Sequence, residues 1–155
     1  MTREALIIVP GKGIGAAVVG RSTAEEICAA FGTDCKVSRH DPSGEIFSVD
    51  YDYENDDDYA ADRPEQASRP GEFTFDFSLL SSIAIGVYQT ELRTRGGIGI
   101  DSPIDDVTRA FGPPEVVLHE EKLDLLRYLS AGLEVTVDKS DMLVSALTIF
   151  RARAR

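Results

Sequence analysis

The chain has 155 residues, of which 43% are hydrophobic, and this is enough apolar material for the core of one compact domain. Its formal net charge of −11, from 16 basic and 27 acidic side chains, argues against nucleic-acid binding and favours a basic partner. No apolar stretch is long enough to span a bilayer, and the first residues lack the features of a secretory leader, so we expect no membrane contact and a cytoplasmic location.

The first predicted element in chain order is a short strand over residues 6–9, followed by a glycine-rich turn. Gly11 and Gly13 have the spacing of a dinucleotide-binding loop, which needs a long helix directly after the glycines to receive the pyrophosphate. Gly20 interrupts the chain here, and a segment with a helix cap begins only at Ser22. We therefore interpret the glycines as a structural turn and not as a nucleotide site.

A helix-like segment of eleven residues occurs twice in the chain. The copy that begins at Ser22 recurs from Ser102 at a constant offset of 80, and both copies end in Ala-Phe-Gly. The two serines are predicted to be the N-caps, with Pro103 in the first helical position of the second copy. A Gly-Ile-Gly triplet precedes each copy, beginning at Gly13 and at Gly97. The pattern predicts one short helix in each half.

After each helix the hydrophobic pattern changes to period two, which predicts four strands per copy. The predicted strands are 35–40, 45–53, 72–78 and 82–90 in the first copy, and 115–121, 123–128, 132–138 and 143–151 in the second. The predicted fold class is α+β: two tandem repeats, each a short helix followed by an antiparallel β-meander, with both helices packed on one face of the sheet. The repeats are residues 1–90 and 91–155.

The first copy carries a recognisable helix entry, GRSTAEEI at residues 20–27. Together with a short helix closed by Phe-Gly and a following meander, it resembles the unit found in beta-lactamase inhibitory protein and in the outer-membrane lipoprotein BamE. The second copy departs from the pattern, because IDS at residues 100–102 lacks the leading glycine. Two tandem copies are closer to the inhibitor, so the resemblance implies a bacterial inhibitor or immunity protein, with a BamE-type envelope assembly module as an alternative.

An acidic stretch, residues 50–62, has seven carboxylates and no cation. It opens an insertion over about residues 54–71 that the second copy lacks. Three interpretations stay open: a solvated hairpin tip, a contact surface for a basic protein, and a calcium loop without the glycine and the bidentate glutamate of such loops. The candidate partner-binding residues are Asp50, Tyr51, Asp52, Tyr53, Glu54, Asp56, Asp57, Asp58 and Tyr59.

No pattern in the sequence favours catalysis. Cys28 and Cys35 lack zinc-site spacing and are expected to be free thiols, although an oxidising compartment would permit a disulfide between them. His40 and His119 each end a predicted strand and are expected to be surface residues. We therefore expect no catalytic residue, no cofactor and no metal ion.

Two apolar stripes are predicted to pack into the core. They consist of Phe73, Phe75 and Phe77 in one strand and of Leu133, Val135 and Val137 in another. The leading hypothesis is a non-enzymatic protein-binding module that masks a basic toxin or enzyme. The alternative from another class is a small-molecule-binding enzyme or sensor that uses the cleft between the two repeats.

Overall fold

The computed structural model describes residues 7–51 and 68–153, which form two short helices, a large β-sheet and a small one. The helices are α1 (Ala24–Phe31) and α2 (Ile104–Phe111). The strands are β1 (Ile8–Val9), β2 (Gly13–Ile14), β3 (Ala17–Val18), β4 (Lys36–Arg39), β5 (Ile46–Asp50), β6 (Glu72–Asp76), β7 (Leu79–Ile85), β8 (Val116–His119), β9 (Leu123–Tyr128), β10 (Leu133–Asp138) and β11 (Leu143–Phe150).

The large sheet has eight strands in the order β4-β5-β6-β7-β11-β10-β9-β8, and all neighbouring pairs are antiparallel. Each half of the sheet is a meander of four consecutive strands, and β7 and β11 join the halves. The short strands β1, β2 and β3 form a separate antiparallel sheet. The fold class is therefore α+β with antiparallel sheets, as the change of hydrophobic period predicted.

The eight strands predicted after the two helices are all present in the large sheet, with one substantial error of position, whereas β2 and β3 of the small sheet were not predicted. The strand predicted at 82–90 is β7 (Leu79–Ile85), which begins three residues earlier and ends five residues earlier than predicted. Phe77 and Ser78 form the turn before it, both with left-handed backbone, at φ of 51° and 68°. After Ile85 the chain turns at Gly86, whose N–H donates to the Gln89 side chain at 2.7 Å.

The core lies on one face of the large sheet. Six cross-strand neighbours with at most 3% exposure form a continuous row on this face: Val49, Phe73, Ile83, Ile149, Leu133 and Tyr128. The ring of Phe31 at the end of α1 contacts Phe73, with centroids 5.2 Å apart, and Phe111 at the end of α2 contacts Tyr128 at 5.6 Å. Because cross-strand partners share a face, both helices pack on the same side of the sheet.

The predicted helix caps, Ser22 and Ser102, were wrong by one residue in each case. α1 is capped by Thr23, whose hydroxyl accepts from the Glu26 N–H while the Glu26 carboxylate accepts from the Thr23 N–H. α2 has Pro103 at its N-cap position, with no side-chain hydrogen bond to the first turn. The acidic residues do lie in the first turn of both helices, where the helix dipole favours them.

The two serines are buried instead, at 4% and 6% exposure. The Ser22 hydroxyl accepts from the Val18 N–H at 2.8 Å, and the Ser102 hydroxyl accepts from the Gly99 N–H at 2.9 Å. A buried hydroxyl needs such a partner. Each serine therefore ties the segment before a helix to the helix entry.

The glycine-rich turn at the start of the chain brings backbones close together. A Cβ on Gly13, in β2, would lie 1.8 Å from the Ala17 carbonyl oxygen, and the Gly11 N–H donates to the Gly132 carbonyl at 3.2 Å. The chain continues from these glycines into β2 and β3, and α1 begins only at Ala24. The glycines thus serve close backbone packing, and they do not lie at a helix N-terminus as a dinucleotide loop requires.

Candidate functional site

Of the nine predicted partner-binding residues, the structure describes Asp50 and Tyr51. Tyr51 is fully buried, and its hydroxyl donates to the Gly32 carbonyl at 2.8 Å, so it is a structural residue of the helix end and not part of an exposed contact surface. Asp50 is half-buried on β5, opposite Glu72 on β6. The other seven, Asp52, Tyr53, Glu54, Asp56, Asp57, Asp58 and Tyr59, lie outside the described residues.

Tyr51 stands at the centre of a polar cluster beneath the end of α1. The Arg69 guanidinium lies 4.3 Å from the centroid of the Tyr51 ring, and its Nη1 donates to the Asp34 carboxylate at 3.0 Å. Cys35 lies opposite Tyr51, because the neighbouring Lys36 pairs with Asp50, and Cys28 is close enough to raise the pKa of Cys35. Both cysteines are free and half-buried. These five side chains bring together the helix end, the start of β4 and the chain before β6.

Two members of this cluster, Cys35 and Tyr51, have raised pKa values, whereas Arg69 and Asp34 form an ion pair. Burial raises the pKa of the Cys35 thiol, and the neighbouring Cys28 raises it further. Burial also raises the pKa of Tyr51 well above its usual range, and it raises that of Tyr128 in the other half of the sheet. Cys35 is therefore a protonated thiol near neutral pH, without the electropositive setting of a catalytic cysteine.

Arg69 is buried, at 7% exposure, although the sequence placed it in an acidic insertion. Its Nε and Nη2 have no hydrogen-bond partner among the residues that the structure describes. The ion pair with Asp34 and the stacking on Tyr51 stabilise the charge in this position. The surrounding sequence, Ser-Arg-Pro-Gly, is typical of a loop and holds no signal of burial.

Phe77 lies at the tip of the β6–β7 hairpin and is 91% exposed. The prediction that it packs into the core with Phe73 and Phe75 was wrong for Phe77 and confirmed for the other two, which are at most 4% exposed. A left-handed backbone at a bulky aromatic residue is a conformational outlier that costs free energy. The fold therefore holds an apolar ring in solvent on a strained turn. The one signal in the sequence was the Leu79-Leu80 doublet, which breaks the alternation.

The face of the large sheet opposite the helices, which we call the open face, has short side chains in the middle of its four central strands, with the larger Phe150 opposite Ser82 at the end of β11. The short side chains belong to the half-buried residues Thr74, Ser82, Ala84, Thr136, Ala146 and Thr148. Ala84 and Thr148 are cross-strand partners at the junction of β7 and β11. Because none of these side chains projects far, another molecule can approach the backbone closely along this floor.

Two glutamates flank the floor of the open face. Glu72 is the cross-strand partner of Ala84, and Glu134 is that of Thr148, so one acid lies on each side of the central pair. They are three strand spacings apart, about 14 Å. Ser48 donates a hydrogen bond to Glu72 at 3.0 Å, and Glu134 accepts one from Arg127 at 2.6 Å. Glu72 thus presents a carboxylate on one side of the centre, and on the other side Glu134 forms an ion pair with Arg127 on the same face.

The two histidines lie on the surface, as predicted. His40 packs its ring against Phe47, with centroids 4.6 Å apart. His119 has its Nδ1 at 2.7 Å from the Asp124 carboxylate, and this hydrogen bond, with the nearby Lys139, lowers the pKa of Asp124. Neither contact includes a nucleophile, so the described residues around them do not form a catalytic triad.

Two clefts lie beside the helices. The larger, about 350 Å³, is between the N-terminus of α1 and the β4–β5 hairpin, and Glu25, Arg39 and Glu45 line it. The second, about 250 Å³, combines residues of both halves, among them Ile8 and Phe111. Arg95 is the one ionisable side chain among the described residues that line this second cleft, so the cleft offers no acid–base pair.

Within residues 7–51 and 68–153, no group of three or more histidine, cysteine, aspartate or glutamate side chains is arranged to hold a metal ion. Neither of the described helices, each of eight residues, has the length to cross a bilayer.

No protein-family model matches the chain, and no curated protein is similar to it in sequence. Among solved structures, the crystal structure of YjgB, a DUF4309 family protein from Bacillus subtilis subsp. subtilis strain 168, is similar. The identity is 13% and the TM-score 0.49, with 91% of this chain and 88% of that chain covered. A likeness of this degree assigns neither a family nor a function.

Proposed function

We propose that this chain is a duplicated helix-plus-meander unit that binds a basic protein without catalysing a reaction, as an inhibitor or immunity protein does. The duplication defines the surface that the two halves present together. On that surface, the open face and Phe77 would contact the partner.

The register of the large sheet supports the duplication. From each edge of the sheet towards its centre, the strands follow in chain order: β4 to β7 from one edge, and β8 to β11 from the other. A rotation of 180° about the midpoint of the Ala84–Thr148 pair moves Ile83 onto Leu147. The same rotation moves Ile149, the partner of Ile83, onto Ile85, the partner of Leu147. Two copies of one unit, joined by their last strands, account for this symmetry.

The buried serines before the helices support it as well. The Ser22 carbonyl accepts from the Leu80 N–H at 2.8 Å, and the Ser102 carbonyl accepts from the Val144 N–H at 2.9 Å. In each half the contact joins the helix entry to the second residue of the last strand. The serines that were predicted as caps are therefore matched in position and in partner.

Each half also has a β-bulge at the matching position. In β7 the extra residue is Ser81, whose hydroxyl donates to the Thr74 carbonyl at 3.0 Å. In β11 it is Ser145, whose hydroxyl donates to the Thr136 carbonyl at 3.5 Å. Bulges are specific features of a fold, so their recurrence with the same serine is better explained by duplication than by chance.

The helix ends are matched too. Tyr51 donates to the Gly32 carbonyl at 2.8 Å, and Tyr128 donates to the Gly112 carbonyl at 3.0 Å. The last four carbonyls of a helix have no partner within it, and a buried phenol satisfies one of them in each half. A tyrosine near the end of the second strand thus closes each short helix.

Protein binding is supported above all by Phe77. A turn that stores backbone strain to keep a large apolar ring exposed is explained if the ring inserts into a partner, since aromatic anchors dominate binding energy in protein interfaces. Its neighbour Leu79, which is 41% exposed, is the cross-strand partner of Asp76 at the same end of the sheet. An apolar anchor therefore adjoins the strand that carries Ser82 and Ala84 of the open face.

The charge of the chain favours a basic partner. Glu72 and Glu134 flank the floor of the open face, and the acidic stretch at 50–62 adds seven carboxylates to a chain of net charge −11. Lysine and arginine side chains of a partner would lie over the short floor residues and pair with these acids. Such complementarity raises the association rate and selects the partner.

A substitution in the floor of the open face tests the proposal. We expect Thr148→Arg to abolish capture of a basic protein from a lysate of the organism that encodes the chain, because it places a long cation on the floor. Thr108→Arg makes the same change on an exposed residue of α2, on the other side of the sheet, and should leave capture unchanged. Equal capture by both variants, or stabilisation of the protein by nucleotides or metal ions with no protein captured, would contradict it.

A further inference from the structure

We propose that Cys28 and Cys35 form a thiol modification site, which a low-molecular-weight disulfide such as oxidised glutathione converts into an intramolecular disulfide bond. The proposal goes beyond the binding function and does not depend on it. It rests on the placement of the two thiols at the end of α1.

The two cysteines lie on either side of the chain reversal that ends α1. Cys28 lies in the second half of α1, and Cys35 directly precedes β4, after the chain reverses at Gly32 with φ of 112°. Lys36 pairs with Asp50, so Cys35 lies opposite Tyr51, and at the other end of the reversal the Gly32 N–H donates to the Cys28 carbonyl. The Tyr51 hydroxyl donates to the Gly32 carbonyl, and the Arg69 guanidinium donates to the Asp34 carboxylate. These two contacts fix the chain reversal between the cysteines.

The second half of the molecule has no such pair. The positions 80 residues later are Thr108 and Glu115, which are both exposed. The helix end there is still held by the hydrogen bond between Tyr128 and the Gly112 carbonyl. Closing a helix in this fold therefore does not require two cysteines, and their presence in the first half calls for another explanation, which reversible oxidation supplies.

The reaction is a pair of thiol–disulfide exchanges. One cysteine thiolate attacks a sulfur of the small disulfide, forming a mixed disulfide and releasing one small thiolate, which takes up the proton that the cysteine lost. The second cysteine thiolate then attacks the protein sulfur of the mixed disulfide and releases the other small thiol in the same way. The two cysteines are oxidised, the small disulfide is reduced to two thiols, and the protein loses two hydrogen atoms.

The environment sets the pH dependence of this reaction. The attacking species is the thiolate, and burial together with the Cys28 neighbour raises the pKa of Cys35. Asp34 contributes to the same rise, whereas the neighbouring Tyr51 opposes it. We therefore expect bridging to be slow at neutral pH and to accelerate as the pH rises toward the alkaline range.

The test uses the full chain incubated with oxidised glutathione and followed by intact mass spectrometry and thermal unfolding. The expected product is monomeric, lighter by two hydrogen atoms, and has no free thiol. Its Tm should exceed that of the reduced protein by about 5–10 °C, because the bond closes a short loop in the unfolded chain. Reduction with dithiothreitol should restore the original mass and Tm.

Two single variants complete the test. Cys28→Ser and Cys35→Ser each retain one thiol, so each should stop at the mixed disulfide, with the mass of one glutathione added and no rise in Tm. If the unsubstituted protein instead ends with glutathione on both cysteines, forms disulfide-linked dimers, or melts at a lower temperature once bridged, the proposal is overturned.

Discussion

Tyr51 and Tyr128 make the same hydrogen bond to the glycine carbonyl that follows each helix. We predict that Tyr51→Phe and Tyr128→Phe each lower the free energy of unfolding by about 1–2 kcal/mol, because the phenol is lost and a carbonyl in a buried setting stays unpaired. Urea denaturation measures the loss. Tyr88→Phe, at a residue that is 39% exposed, is the matched control and should change stability by less than about 0.5 kcal/mol.

If only one of the two substitutions lowered the free energy of unfolding, the hydrogen bond would stabilise only one half. The case that the two halves share one design would then be weaker. The hydrogen bond itself could not be predicted from the sequence. Tyr51 lies in a run of alternating tyrosines and carboxylates, where the residue types are typical of an exposed, amphipathic strand. Its burial depends on the packing of the helix end and of Arg69 around it, which are contacts between residues distant in the chain.

The turn of the β6–β7 hairpin has an unfavourable left-handed backbone and carries the exposed ring of Phe77. We predict that Phe77→Gly raises the free energy of unfolding by about 0.5–1 kcal/mol, because glycine relieves the left-handed strain and an exposed ring contributes little packing. The same variant should lose capture of the basic partner. Ser78→Gly relieves strain at the neighbouring residue and keeps the ring, so it should match the gain in stability and retain capture.

If Phe77→Gly retained capture, the ring would have no part in binding. A fall in the free energy of unfolding would show that the turn depends on the packing of the ring.

The hydrophobic pattern of the sequence predicted most strands of the large sheet but not this hairpin turn. Hydrophobic alternation predicted the six inner strands of the large sheet, because each has buried residues on the core face, whereas the edge strands β4 and β8 have none. It failed at the hairpin, since a turn of Phe77 and Ser78 has no glycine, asparagine or aspartate to mark it.

The helices show the same division between local and tertiary signals. Their existence and their ends at Phe-Gly followed from capping and dipole chemistry, and both were confirmed. The N-caps were misplaced by one residue, because Ser22 and Ser102 are used in tertiary contacts before the helices. A serine hydroxyl fits either role, and the sequence does not say which backbone N–H comes within reach.

At the scale of the whole molecule, the two halves share one buried row, and on the opposite side they share one open face. The repeat in the sequence pointed to two similar units, but the offset of 80 holds only through the helices. The pairing of β7 with β11, which places Glu72 and Glu134 on both sides of Ala84 and Thr148, is a long-range contact without a sequence signature. The candidate surface therefore emerges only from the folded sheet.

The most direct test of a basic partner on the open face is zero-length carbodiimide cross-linking of the captured complex, with the linked peptides mapped by mass spectrometry. This chemistry joins a carboxylate to a lysine amine that it contacts. We predict amide links from Glu72 and Glu134 to lysines of the partner. Links confined to the first-turn acids of the helices, such as Glu25 and Asp105, with none from the two glutamates, would contradict it.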